Sequence, residues 1–577
     1  MLHTMIHIML PVIILFVVFF IISVALADCV LSFILHKLNI TLPEYLYLAV
    51  ALHLIPMFGY SMYLIHLSFP FVANAFSYVF YIIAIIYIIF MFANEKRIFA
   101  FGYKESKIQI TIIFSYVIII ACIAASLPLT IHKRDGLDSF MYTEPLIFSY
   151  NMFRVPHGAQ HDTSMQYLYA AKDISPFNNI RCHYETALSD RPPVIGGTSF
   201  LLKDPIAKFA SGNNHFSKPW YTAVSLALTT AWISVLWGLL RSLKVEPLRA
   251  VLIIVAASTA HWMLFNSFYF WPRMLTSSYV LLAMLCYDPI FNNRQHFTGN
   301  AKGIFPALFL SFALLTHLVS ILGIFLWGVT LFVRRQLNIK HVFLCATMAI
   351  AVLCTWYIPK AVNEEPRPSM FRYLLADRYN PQIYLDSSIS DLHAIIKTYQ
   401  GKQFNDIVKD KLQHIQRVSF AFPFDSWYTL PGFIVTMLGI AGWLLLFGQR
   451  IVSGSWPLSN EVKTLIKITL FLSVSLWLFW AIAPYKHPIN SGVADPFINT
   501  LYMFLFLMPF MYLPIRIVWG GVLLAVCVTF ANLAALDPIA FSCAIAAGGF
   551  AWYKLQAMIY DLNSEYRLGI VNKDEQP

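Results

Sequence analysis

The sequence predicts an all-α polytopic membrane protein, and three observations predict it. Of 577 residues, 59% are hydrophobic and only 12% charged, with a mean hydropathy of +0.65. A soluble domain needs more polar surface than that. Apolar runs long enough to cross a bilayer recur along nearly the whole chain. Lysine and arginine gather in alternate short connections between the runs, so the formal charge of +11 reads as the positive-inside pattern and not as a nucleic-acid surface.

Runs of about 20 apolar residues fall near 5–27, 45–66, 72–93, 108–129, 221–240, 250–269, 274–290, 304–316, 318–333, 341–358, 428–447, 464–483, 496–514, 517–536 and 538–555. The pair 304–316 and 318–333 is short and could instead form one long tilted helix, which makes about 13–15 transmembrane helices. The run from Met5 to Ala27 is too long for a cleavable signal, lacks a basic n-region and leads into further spans. Of the eight cysteines, Cys122, Cys286, Cys345, Cys354, Cys527 and Cys543 fall inside spans and only Cys182 in a large loop, which argues against a disulfide framework. Almost no charge falls inside the predicted spans.

The short connections orient the chain. Lys96, Arg97, Lys104 and Lys107 share one of them; Arg241, Lys244 and Arg249 another; Arg334, Arg335 and Lys340 a third. Arg294 and Lys302, then Arg450, Lys463 and Lys467, and finally Arg516 continue on that side, whereas the alternate short loops hold little beyond Arg273 and Lys486. The positive-inside rule makes the first set cytoplasmic. It puts the N-terminus and two large loops on the extracytoplasmic face of a plasma membrane, the inner membrane in a bacterium. Each large loop carries nine Lys/Arg against eight Asp/Glu, so neither is a basic patch. The chain thus divides into N-terminal helices 1–129, a first outer loop 130–220, central helices 221–358, a second outer loop 359–427, C-terminal helices 428–555 and a cytoplasmic tail 556–577.

Chemistry is expected on the outer face, because polar residues gather there. In "HGAQHDTSMQYLYAAKDISPFNNIRCHYETALSDRPPV", residues 157–194, Asp162 opens a pattern in which Met165, Leu168 and Tyr169 recur at helical spacing. This reads as a short amphipathic helix in the membrane interface, with Tyr167 and Tyr169 at headgroup level. Asp162 is either its N-cap or a functional carboxylate. Downstream, Pro192 and Pro193 stiffen the backbone and present Arg191 on a corner. A guanidinium fork matches two oxygens of a phosphate or carboxylate; the plainer role is a rim pair with Asp190 or Asp204.

Arg273 in "FYFWPRMLTSS" lies in a short outer loop beside Tyr269 and Trp271, suited to a lipid phosphate or to a headgroup anchor. Lys486 and His487 occupy another, and with Arg191 and Arg273 they could enclose a phosphate. His317 stands near a span end, as a helix-packing or functional group. The second outer loop offers Arg372, Asp377 and Arg378, then a polar helical run around Asp391–Arg417 that could cover the site and choose an acceptor. His157, His161 and His183 raise a divalent metal near Asp162, but three histidines in one loop are not a zinc signature, and no metal or other cofactor is assigned.

The passage from Asp162 to Val194 resembles the first outer loop of the glycosyltransferase C superfamily. The resemblance is to the branch with protein O-mannosyltransferases and lipid A aminoarabinose transferases. There an Asp opens an interfacial helix with a downstream Tyr, a Pro-containing turn follows, and an acidic-Lys-Pro-Pro-Leu corner ends the loop. Asp162 matches the catalytic Asp, Tyr167 or Tyr169 the tyrosine, and Asp190-Arg191-Pro192-Pro193-Val194 the corner, with Arg191 29 residues after Asp162. Thr163 stands where the family often has a second acid, Arg191 replaces Lys, and three extra spans precede the loop.

The resemblance implies an inverting glycosyltransferase that moves a sugar from a polyprenyl-phosphate donor to a glycan, lipid or protein acceptor. Asp162 would be the general base. Arg191, Arg273, Lys486 and His487 would hold the donor phosphate, where charge accumulates as the lipid departs. His161, Tyr167, Tyr169, Asp190 and Arg372 would line the substrate. The alternatives are an O-antigen polymerase or ligase, which relies on outer-loop arginine and histidine, and a lipid or polysaccharide transporter. A transporter tends to carry inverted repeats and ionisable groups in mid-membrane.

Overall fold

The computed structural model describes residues 10–93, 103–126, 181–183, 186–187, 192–203, 205–206, 217–268, 272–291, 301–363, 372, 375–377, 380–384, 386, 388–424, 430–455, 458–483, 496–536 and 538–574. Among these the chain is helical apart from a two-stranded antiparallel ribbon, β1 (Arg181–His183) with β2 (Thr186–Ala187).

The first four helices are α1 (Leu10–Leu38), α2 (Glu44–Ser68), α3 (Pro70–Ala93) and α4 (Lys104–Ser126). After the ribbon comes a single buried turn, α5 (Val194–Thr198). The central set is α6 (Ser217–Thr229), α7 (Trp232–Ser242), α8 (Pro247–Thr259), α9 (His261–Phe268), α10 (Arg273–Tyr287), α11 (Ala301–Thr316), α12 (Ser320–Val333) and α13 (Ile339–Asn363). The second large loop carries α14 (Pro381–Tyr384), α15 (Asp391–Tyr399) and α16 (Phe404–Phe424). The chain closes with α17 (Leu430–Ser453), α18 (Asn460–Ile482), α19 (Pro496–Leu507), α20 (Ile515–Leu536) and α21 (Pro538–Asp574).

Eight helices among the described residues are long and apolar enough to cross a membrane. They expose large apolar side chains that water would not tolerate in such number, among them Phe71, Ile86 and Phe92 on α3 and Phe343 and Ile350 on α13. The protein is therefore an all-α, multi-pass membrane protein. The segment 304–333 forms two helices, α11 and α12, and not one, because the chain turns at residues 317–319. α21 runs unbroken through residue 555 into the expected tail, and α13 extends to Asn363, past the expected loop boundary at 359.

The basic connections meet at one end of the bundle. Arg241 at the end of α7 pairs with Glu105 at the start of α4 (3.0 Å), and Trp237 Nε1 donates to the same carboxylate (2.7 Å). Arg334 at the end of α12 grips Asp288 after α10, with Nη1 to Oδ1 at 3.0 Å and Nη2 to Oδ2 at 2.5 Å. Arg249 near the start of α8 donates to the carbonyls of Phe510 and Leu513 just before α20 (2.8 and 2.6 Å). Both large loops leave from the opposite end.

α1 corrects one expectation. It continues eleven residues beyond the predicted end at 27, so Asp28 is an interior residue, fully buried, accepting a hydrogen bond from Tyr87 (2.8 Å). With Glu105, Asp288 and Arg273 also buried within or at the ends of apolar helices, the bundle interior is not free of charge.

Candidate functional site

The central helices are short. α8, α10, α11 and α12 have 13, 15, 16 and 14 residues. At 1.5 Å per residue they rise roughly 20–24 Å, less than the roughly 30 Å of a bilayer's hydrocarbon core. α8 is continued by α9 after one residue, whereas α10, α11 and α12 each begin or end at the basic end, so their other ends stop short of full depth and leave the floor of a recess on the side of the two large loops.

Hydrogen bonds and ring contacts fix what lies at that floor. Tyr279 of α10 donates its hydroxyl to the carbonyl of His53 on α2 (2.9 Å), and its ring lies 6.2 Å from both Phe309 and Phe312 of α11. Three helices thus share one level. Six residues further along α10, away from the basic end, stands Arg273; six residues further along α2 stands Gly59; just past the end of α11 comes His317. Six helical residues rise about 9 Å, so Arg273, Gly59 and His317 share a second level.

Gly59 is where the first outer loop enters the bundle. A Cβ on Gly59 would come within 2.3 Å of Thr198 Cα, so only glycine allows this contact between α2 and α5. The segment from Pro192 to Leu202 is buried throughout. Its turn is closed by Val194 N to Pro192 O (2.9 Å) and Gly197 N to Pro193 O (2.7 Å). Trp220 Nε1 of α6 donates to Ser199 O (2.8 Å), and Ser77 Oγ of α3 donates to Leu201 O (2.9 Å). The two prolines that stiffen the corner therefore lead into a plug held from three sides.

Arg273 is not in a loop but is the first residue of α10, following Pro272, and is only 3% exposed. Thr276 donates its hydroxyl to Pro272 O (2.9 Å) and locks the first turn. A helix N-terminus directs free N–H groups and the positive end of the dipole outward. Arg273 thus places a buried positive charge at the positive end of the α10 dipole, a field that favours negative charge. Beneath it a cavity of about 20 Å³, lined by Trp232, Met263, Met274, Ser277 and Thr500 among others, has room for a water but not for a sugar.

Arg372 has a different place. Its Nε meets Asp391 Oδ1 at 2.8 Å, Nη1 donates to Asp386 O (2.7 Å) and Tyr384 O (3.4 Å), and Nη2 donates to Ile389 O. The guanidinium clamps the turn before α15, so a role in substrate binding would be exerted through that loop. Hydrogen bonds from the Ser388 hydroxyl and amide hold the Asp386 carboxyl below its usual range. The expected polar run Asp391–Arg417 is helical as α15 and α16. α16 caps the end of α18: Lys411 Nζ donates to Ile482 O (2.6 Å), and His414 Nδ1 lies 3.0 Å from Ala481 O. Burial lowers the Lys411 pKa, with Asp410 acting against it.

His157, His161, Asp162, Tyr167, Tyr169, Asp190, Arg191, Arg378, Lys486 and His487 lie outside the described residues, as does the side chain of His183. The amphipathic helix after Asp162 lies outside them too. Among the described residues no group of three His, Cys, Asp or Glu side chains is placed to hold a metal ion.

Sequence reasoning missed Asp28, whose neighbours are Tyr87, Tyr47 and Ser32, with the last two hydrogen-bonded at 3.0 Å. Its signal was an acid one residue beyond an apolar run whose length gave no reason to stop there. Comparison with known proteins finds no matching family model, no matching curated protein and no matching solved structure.

Proposed function

We propose that this protein is an inverting, membrane-embedded glycosyltransferase that uses a polyprenyl-phosphate-linked sugar. Its acceptor would be a glycan, lipid or protein at the outer membrane face. The observation that carries the reading is the pairing of the buried Pro192–Leu202 plug with Arg273 at one depth of the recess. Arg191 directly precedes that corner in the sequence, and a second guanidinium beside Arg273 would suit a phosphate with an apolar tail. Lys486 and His487 would complete the cation set from the same end of the bundle. Asp162 takes the proton of the acceptor hydroxyl as it attacks the anomeric carbon, while the lipid phosphate leaves toward the cations. One carboxylate on the acceptor side gives a single displacement and inverted configuration, unlike the paired carboxylates of glycoside hydrolases.

Mass spectrometry of surface glycans and lipid-linked sugars, in cells with and without the protein, tests the activity. Accumulation of a lipid-linked sugar together with loss of its glycan product is the expected result; unchanged pools of both would remove the reading. Orientation is tested by single cysteines near Asp162, near Asp391 and at Arg335, treated with an impermeant thiol reagent on intact cells. The first two should label and the third should not.

A second reading, a lipid or polysaccharide transporter, draws on Asp28. A buried carboxylate between transmembrane helices is a default candidate for proton or ion coupling. Asp28→Asn separates the two: it should leave sugar transfer intact under the first reading and stop substrate flux under the second.

A further inference from the structure

A cavity of about 400 Å³ opens near the basic end, between α10, α11, α12 and α13, away from the recess and its chemistry. That volume lies in the range of about 300–1,000 Å³ typical of small-molecule sites. Its walls are almost wholly apolar and include Pro306, Leu310, Phe325, Gly328, Phe332 and Val342. Phe325 is 67% and Phe332 70% exposed, so the cavity opens where the bundle meets bilayer lipid and not toward its interior.

The mouth is polar and of one sign. Lys302 Nζ stands 5.7 Å from the centre of the Tyr287 ring, and the His341 ring packs edge-on against the same tyrosine at 5.6 Å; Tyr287 and His341 both line the cavity. Arg335 and Lys340 are exposed, on either side of Leu337, which is also a lining residue. From residue 287 to residue 345 the sequence has five Lys/Arg and a single acid, Asp288. That acid is already taken by Arg334 behind the cavity wall, where Trp327 Nε1 reaches it at 3.5 Å. Lys302 stands over a lining residue, Arg335 and Lys340 flank others in the sequence, and no ion pair neutralises the three among the described residues. A basic pocket between transmembrane helices, with an acyl-sized slot behind it, has the complement of an anionic lipid.

We propose that this cavity is a binding site for one anionic glycerophospholipid of the adjacent leaflet. An acyl chain fills the slot between α11, α12 and α13, and the headgroup phosphate rests against Lys302, Arg335 and Lys340. The lipid would wedge the short α11–α12 hairpin against α13. No step of sugar transfer is involved.

The test is native mass spectrometry of the full-length protein, delipidated in detergent and titrated with phosphatidylglycerol or phosphatidylcholine of identical acyl chains. Each lysine or arginine close to an anionic headgroup contributes roughly fivefold in affinity, less with salt. The expected result is one lipid retained with about a tenfold preference for phosphatidylglycerol. The triple variant Lys302→Ala, Arg335→Ala, Lys340→Ala should lose the preference and keep phosphatidylcholine-level binding. Gly328→Leu should lose the bound lipid of either kind: nothing lies within 4 Å of a Cβ built there, so the side chain fills the slot without a clash. Gly328→Ala, too small to fill it, should bind as wild type does. Equal retention of both lipids by the wild-type protein would overturn the charge argument. Undiminished phosphatidylglycerol binding by Gly328→Leu would overturn the site.

Discussion

At the basic end of the bundle, Arg241 stands in the last turn of α7 and Arg334 directly after α12; at the opposite end, Arg273 is the first residue of α10. A cation at a helix C-terminus is favoured by the dipole and one at the N-terminus opposed by it, each by about 0.3–1 kcal/mol. The two C-terminal arginines also meet carboxylates within hydrogen-bonding distance, Glu105 and Asp288. Their charges complete the protein itself. Arg273 is buried at the positive end of its helix dipole instead. The difference teaches that burial of an arginine says little about its role until its helix end is known.

The largest expected effect lies at the loop end. Asp162→Asn keeps shape and hydrogen bonding but removes the base, and transfer should fall about 10²–10⁴-fold with expression and melting unchanged. A variant with wild-type turnover would take the chemistry away from this end altogether.

Next is the stability of the basic end. Glu105→Ala leaves Arg241 buried without its carboxylate, and deprives Trp237 Nε1 of its acceptor. Breaking a buried pair in this way costs about 3–5 kcal/mol, to be read as a lower melting temperature in detergent. If the protein melts normally, the stitching assigned to that end is wrong.

Arg273→Ala sharpens the contrast most directly. A hydrogen bond to a charged group contributes about 1.5–3 kcal/mol, so binding of a polyprenyl-phosphate analogue should weaken roughly tenfold to a hundredfold. Melting should stay well above that of Glu105→Ala, since the dipole opposes a cation at that position. A binding-competent but unstable Arg273→Ala would make the two ends alike.

A similar loss is expected for Arg191→Ala, with partial retention in Arg191→Lys, which keeps the charge but not the fork. Pro192→Ala separates the roles, because it should loosen the plug and lower stability while Arg191→Ala does not. Equal destabilisation by both would make the corner purely structural.

The smallest effect is expected from Arg372→Ala. It frees the turn between Tyr384 and Asp391 from its clamp. Limited proteolysis there should accelerate, while global melting falls less than in Glu105→Ala. A large global loss would mean that the second loop is part of the core.

Hydrocarbon content, span positions and alternating charge are local properties of the chain, and they determined the all-α, multi-pass architecture without any contact being known. Water and lipid sort residues by composition alone, so a run of about 20 apolar residues already carries its own destination. The Pro192-Pro193 corner was also legible, because proline restricts its own backbone whatever surrounds it. Depth was not. Whether α10 begins at the membrane surface or well beneath it depends on which helices it packs against, as does whether Asp28 ends a span or lies inside one. Those facts reside in Tyr279 meeting His53, Gly59 meeting Thr198 and Tyr87 meeting Asp28. Each is a contact between residues more than fifty positions apart. The tertiary structure alone decided that Arg273 is a buried cation at the positive end of a helix, because the field at a residue is set by what is near it in space.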